Sequence, residues 1–221
     1  FEYLPGGDVG RWRGRPWTLI ARRLLPVIDA LAQFHAAGWV HGDVKSTNVL
    51  LDADGLPRLI DLGSAREIGS GQPAGASPYS TSPERLDGAA AAAADDIYAV
   101  GVLLYELLSG HPPFYPDVTP ERVHDEVPAL VPGRPEPPEA LRALVARCLA
   151  KQTADRPGSM RAIHDELQSI LQAAPIEPAS TASTASTAAA GVAAWQPRPP
   201  VDALPVQPQW HRTRGDAPSA R

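Results

Sequence analysis

The chain has 221 residues, 43% of them apolar, enough for a buried core. Its formal charge of −5 excludes a nucleic-acid binder that works mainly through phosphate contacts. A single cysteine, Cys148, excludes an internal disulfide and fits a reducing, cytoplasmic setting, and no apolar run reaches the ~18 residues of a membrane span.

The chain opens on Phe1 rather than Met and lacks a signal-peptide pattern, so it reads as a fragment or a processed product. Residues 18–37 place Ile20, Leu24, Val27, Leu31 and Phe34 at helical spacing. Gly38 is the stop, and Pro26 marks an expected kink. Trp39 and Val40 read as extended. Two apolar runs, NVLLD and PRLI, flank Asp54–Gly55, a hairpin-turn signal. Residues 61–84 are rich in Gly, Ser and Pro without a period, and read as one long loop. DDIYAVGVLLYELLSG at 95–110 is apolar nearly all round, which predicts a helix buried in the centre of a domain. Asp95 or Asp96 is its expected N-cap and Gly110 its stop. Further helices are expected near 138–151 and 159–172. From 173 the character changes to an Ala-, Ser-, Thr- and Pro-rich stretch that includes ASTASTAST. Such a segment cannot bury enough surface to offset its ordering entropy, so 173–221 is expected to be a disordered tail or linker, with Trp195 and Trp210 incidental to it. The expected fold class is mainly α with a small β-hairpin, confined to residues 1–172.

The stretch HGDVKSTNVLLD, residues 41–52, keeps Asp43, Lys45 and Asn48 together, and Asp61 follows beyond an apolar run. Asp and Asn alone are turn formers. Here they flank short β-like stretches, which sets a polar surface loop against a phosphate-and-metal site.

Taken with its neighbours, this stretch resembles the catalytic loop H-R-D-L-K-x-x-N of protein kinases of the Ser/Thr type, with Gly42 in place of Arg. DLG at 61–63 resembles D-F-G, SPE at 82–84 resembles A-P-E, and ADRPGSM is similar to the Arg-Pro motif near the end of that fold. The five motifs, counting the central helix, fall in the family's order. The resemblance implies a protein-kinase-like large C-terminal lobe over about residues 1–172, the parent domain being α+β and two-lobed. It implies Ser/Thr protein kinase activity with ATP and Mg²⁺, acting on protein hydroxyls. Asp43 would orient the hydroxyl and accept its proton, and Lys45, two residues on in an extended loop, would meet the transferring phosphate. Asn48 and Asp61 would hold Mg²⁺, which needs few protein oxygens. The hairpin from 49 to 60 would reunite these two ligands in space. Lys45 also favours Ser/Thr over Tyr as the acceptor.

FEYLPGGD resembles the hinge that receives adenine: Glu2 and Leu4 would offer backbone groups to the base, Asp8 a carboxylate to the ribose, and Leu50 an apolar floor. Ser77 corresponds to a hydroxyl placed against the catalytic Asp. Glu84 and Arg156 resemble a buried ion pair, Asp96 an anchor for the loop backbone, and His41 a ring packed under Leu62. The remaining histidines share no metal-ligand spacing with Cys148. No Gly-rich loop or strand Lys precedes Phe1, so the chain is expected to hold the lower half of the ATP site, to be nearly inactive alone and to expose an apolar surface. Gly42 removes the cation that would pair with loop phosphate, so activity independent of loop phosphorylation is expected. H-G-D also resembles the aminoglycoside phosphotransferases, a small-molecule-kinase alternative; a non-catalytic pseudokinase scaffold is the other. The Ala-, Arg- and Pro-rich composition associates with a bacterial source.

Overall fold

Trp17 follows Pro16, whose fixed φ suits the entry to a helix, and α1 runs Trp17–Ala36 in the computed structural model. The structure describes residues 3–71, 79–125, 129–130 and 136–174. One face of α1 buries Trp17, Ile20, Ala21, Leu24, Val27, Ile28 and Leu31, the stripe that the helical spacing marks. Phe34 is only half-buried, and α1 continues through Pro26. Gly38 then takes a left-handed φ of 84° and turns the chain into β1, Trp39–Val40.

Strand β2 (Val49–Leu51) and strand β3 (Pro57–Leu59) form the expected antiparallel hairpin, with Val49 opposite Leu59 and Leu51 opposite Pro57. Its turn is built by Asp52, whose Oδ1 accepts from the N–H groups of Asp54 and Leu56, while Gly55 adopts φ 74°. The stretch read as one loop from 61 to 84 holds more structure than its composition signals. Arg66–Glu67 forms β4, paired with β1, and Pro83–Leu86 forms the short helix α2. A two-residue strand has no period to detect, and its pairing lies far off in sequence.

Helix α3 spans Ala93–Ser109, and every residue from Asp95 to Leu108 is buried. Neither Asp95 nor Asp96 is its N-cap. The preceding alanines are strong helix formers and carry the start back to Ala92, whose N–H donates to the Asp95 carboxylate at 2.9 Å. Asp96 instead faces inward. Helix α4 (Pro120–Asp125) follows, then α5 (Glu139–Cys148) and α6 (Met160–Ala173), the last capped by the Ser159 hydroxyl accepting from Ala162 N–H at 3.1 Å.

Helix α1 packs on both α3 and α6, and α3 packs on α5. One continuous apolar core runs from Val9 through these helices to Ile170. Among the described residues no helix is long and apolar enough to cross a membrane. Among the described residues the architecture is a mostly helical body with two small antiparallel sheets. Most of the stretch 173–221, including Trp195 and Trp210, lies outside the described residues, as do Glu2 and Ser77.

Candidate active site

The segment between β1 and β2 is held from below by α3. Asp96 accepts from the backbone N–H of His41 at 2.8 Å and of Gly42 at 2.9 Å, and pairs with His35 Nε2 at 2.9 Å. A buried carboxylate with three partners fixes the loop's entry. The His41 ring is fully buried: its Nδ1 accepts from the Asp43 N–H at 3.3 Å, which leaves the proton on Nε2, donated to the Ile60 carbonyl at 3.0 Å. His41 is therefore seated by Ile60, while Leu62 is 58% exposed.

These bonds orient Asp43, which is 8% exposed. Its Oδ2 accepts from Lys45 Nζ at 2.8 Å and from Asn48 Nδ2 at 2.9 Å. Its Oδ1 is buried and has no hydrogen-bond partner among the described residues. A buried unpaired carboxylate oxygen is costly and marks a place where a donor is missing. The Asn48 amide also donates to the Asp43 carbonyl at 2.8 Å, so its nitrogen is consumed and its oxygen is the atom left for a cation.

Asn48 ends a 3-10 turn, Ser46–Asn48, and opens the hairpin. At the hairpin's other end the Ile60 N–H donates to the Asn48 carbonyl at 2.9 Å, so the chain leaves the hairpin beside Asn48 and Asp61 is the next residue. Asp61 takes a left-handed φ of 65°, uncommon for a residue with a Cβ, and its Oδ1 accepts from Gly63 N–H at 3.2 Å. One amide oxygen and one carboxylate suit Mg²⁺ shared with phosphate oxygens and water, not a closed protein cage. No cluster of three His, Cys, Asp or Glu side chains is placed to hold a metal among the described residues. Cys148 is enclosed in the core, where burial pushes its thiol up to about 12.

The amino-terminal segment runs beside β2. Gly6 N–H donates to the Leu51 carbonyl and Leu51 N–H to that of Gly7, both at 2.9 Å, and Asp8 bridges Leu50. Leu4 is half-buried at the start of this segment, and Leu50 is half-buried between the fully buried Val49 and Leu51, on the opposite face of β2. Asp8 Oδ1 caps the following turn by accepting from Gly10 N–H at 2.8 Å.

Behind the site, Glu84 and Arg156 form the expected ion pair. Arg156 Nη2 donates to Glu84 Oε2 at 2.8 Å, its Nη1 to Oε1, and its guanidinium also reaches the carbonyls of Ala150 and Ala94 and lies over the Tyr98 ring. Burial works against the Glu84 charge, but Arg156 and neighbouring donors outweigh it and hold the carboxyl below its usual range. Three further residues escaped the sequence reading: Ser46, Arg13 and Glu106, joined in one network around the buried Glu106 carboxylate. A signal for it existed, since Glu106 is the one charge within the apolar run Ile97–Leu108.

A helical body that presents Asp43, Lys45, Asn48 and Asp61 around one hairpin defines a class, and comparison with known proteins identifies it. Residues 10–168 match the protein kinase domain, and the chain belongs to that family. It is 37% identical over 171 residues to the serine/threonine-protein kinase PkaA of Streptomyces coelicolor, covering 72% of this chain and 31% of that protein. It is likewise 37% identical over 162 residues to PknL of Mycobacterium tuberculosis, covering 67% and 40%. The chain thus spans roughly a third of the length of such relatives. The solved structure of the Cydia pomonella granulovirus kinase PK-1 superposes with a TM-score of 0.64 at 24% identity, over 75% of this chain and 68% of that one, and shares the fold.

Proposed function

We propose that this chain carries the catalytic centre of an ATP-dependent Ser/Thr protein kinase, which moves the γ-phosphoryl group of ATP to a protein hydroxyl. The observation that carries the reading is the Asp43 carboxylate: one oxygen is pinned by Lys45 and Asn48, and the other is buried with no donor to accept from among the described residues. A substrate Ser or Thr hydroxyl supplies that missing donor. As the hydroxyl oxygen bonds to the γ-phosphorus and the bond to the ADP oxygen breaks, the hydroxyl proton passes to Asp43 Oδ1. Lys45, already at the carboxylate, turns its ammonium to the phosphoryl oxygens. Asn48 Oδ1 and the Asp61 carboxylate would hold Mg²⁺, which when bound neutralises phosphate charge. Glu2 and Leu4 offer backbone groups to adenine, Asp8 its uncommitted oxygen to the ribose, and Leu50 the apolar floor. The reading assigns residues 1–172 to the hinge and large lobe of the kinase domain, 173–221 to a linker, and a cytoplasmic place of action, where ATP is the phosphoryl donor.

The test is γ-phosphoryl transfer to a Ser/Thr peptide mixture by the full-length protein. Asp43→Asn and Asp61→Asn are each expected to lower kcat by about 10³-fold with an unchanged melting temperature. Turnover within tenfold of wild type in either variant overturns the assignment.

A further inference from the structure

Glu106 lies 6% exposed on α3 and its Oε1 gathers three donors. Ser46 Oγ–H and Arg13 Nε each donate to it at 2.8 Å, and Arg13 Nη2 pairs with it as well. Arg13 Nη2 also donates to Ser46 Oγ at 3.3 Å. Ser46 itself is 4% exposed and opens the 3-10 turn that carries Asn48, one residue beyond Lys45. Arg13 alone neutralises the buried carboxylate, so the Ser46 hydroxyl is not needed for charge balance. What it adds is a tether. Asp96 holds the loop before Asp43, and Glu106, ten residues or about 15 Å further along the same helix, holds it after.

We propose that Ser46 is a positioning residue for phosphoryl transfer. Through Glu106 and Arg13 it locks the Lys45–Asn48 turn to α3, and so sets the angle from which Lys45 and Asn48 grip the Asp43 carboxylate. This rests on the kinase reading above. The tether acts on the orientation of Lys45 and Asn48 toward the Asp43 carboxylate, while the amino-terminal segment that would receive adenine is held separately, by its backbone bonds to Leu51. Its loss therefore falls on kcat rather than on KM.

The experiment uses the full-length protein with Ser46→Ala, Ser46→Thr, Arg13→Gln and the Ser46→Ala/Arg13→Gln pair. Ser46→Ala is expected to lower kcat for a Ser/Thr peptide about 10- to 100-fold, with KM for ATP and peptide within about twofold, the loss of one hydrogen bond to a charged group. Ser46→Thr, which restores the hydroxyl, recovers most of kcat. The double variant loses about as much as the worse single, because both act through Glu106. Backbone amides 43–49 exchange about tenfold faster in Ser46→Ala without any substrate, and return toward wild type in Ser46→Thr. Unchanged kcat with unchanged exchange overturns the proposal, as does a kcat loss that Ser46→Thr fails to recover and that follows the melting temperature. A wild-type protein without turnover refutes the kinase reading instead, and amide exchange then decides the tether by itself.

Discussion

A Cβ at position 42 would stand 2.8 Å from the Ser64 carbonyl oxygen, in a backbone held at φ 76°. The left-handed region costs a residue with a side chain about 1–2 kcal/mol, and the close oxygen adds to it. Gly42→Ala is expected to lower unfolding free energy by about 2 kcal/mol in denaturant melts; a change within 0.5 kcal/mol, about the spread of a neutral substitution, refutes this. Position 42 is where the family resemblance departs, and the spacing of HGD could show the substitution but not the contact with Ser64 that confines it. Asp95 poses a different problem. Burial first, and the nearby Glu84 charge, push its carboxyl up to about 6, against the pull of Ala92 N–H, Ser82 and Arg85. With the folded value above the unfolded 3.8, this group's contribution to stability is fully present below about pH 4 and is lost as pH rises through about 6. Between pH 5 and 7.5 wild type should lose about 1–2 kcal/mol relative to Asp95→Asn, read from urea melts at both values. Parallel pH dependence of the two proteins refutes it. In sequence, Asp95 and Asp96 looked interchangeable as caps. Only packing separates them, one tied to α2 through Ser82 and Arg85 and the other to the catalytic loop.

At the scale of elements, α3 is the axle on which the site is mounted, and α5 presses on it at Gly101. A Cβ there would meet the Cys148 Cβ at 2.6 Å and backbone of the same residue at 3.2 Å. Alanine would gain helix propensity, about 1 kcal/mol, yet overpacking against backbone costs about 1–3 kcal/mol. Gly101→Ala is therefore expected to lower the melting temperature by several degrees; a rise sinks the close-approach argument. The sequence announced α3 by its unbroken apolar run, and α1 by its stripe. It announced the β2–β3 hairpin by Asp54–Gly55 between two apolar runs. Strand β4 was silent, because Arg66 and Glu67 have no alternation and their partner, β1, precedes them by more than twenty residues. The proposed catalytic cluster was legible for the opposite reason: Asp43, Lys45 and Asn48 lie within one loop, and the turn that returns the chain to Asp61 is local. Arg13 and Glu106 are far apart in sequence, and their meeting at Ser46 depends on how α3 lies against the amino-terminal segment.

For the whole molecule, α1 and α6 come from opposite ends of the described chain and lie against each other. Helix α6 buries Met160, Ile163, Leu167 and Ile170, each worth about 1.5–3 kcal/mol, a sum comparable to the entire stability of a domain. A chain ended at Pro157 is expected to keep helical circular dichroism yet bind a hydrophobic dye and melt without cooperativity. A sharp melt from the shortened chain would show that α6 is dispensable. Synthesis proceeds from the amino end, so the ribosome releases the loop bearing Asp43 and its α3 supports long before α6 exists to cover α1. Until α6 is made, the nascent chain carries an uncovered apolar stripe, a surface for chaperones to hold. The loop bearing Asp43 is therefore made before the helix that completes this core, and it settles into its final rigidity when that helix docks.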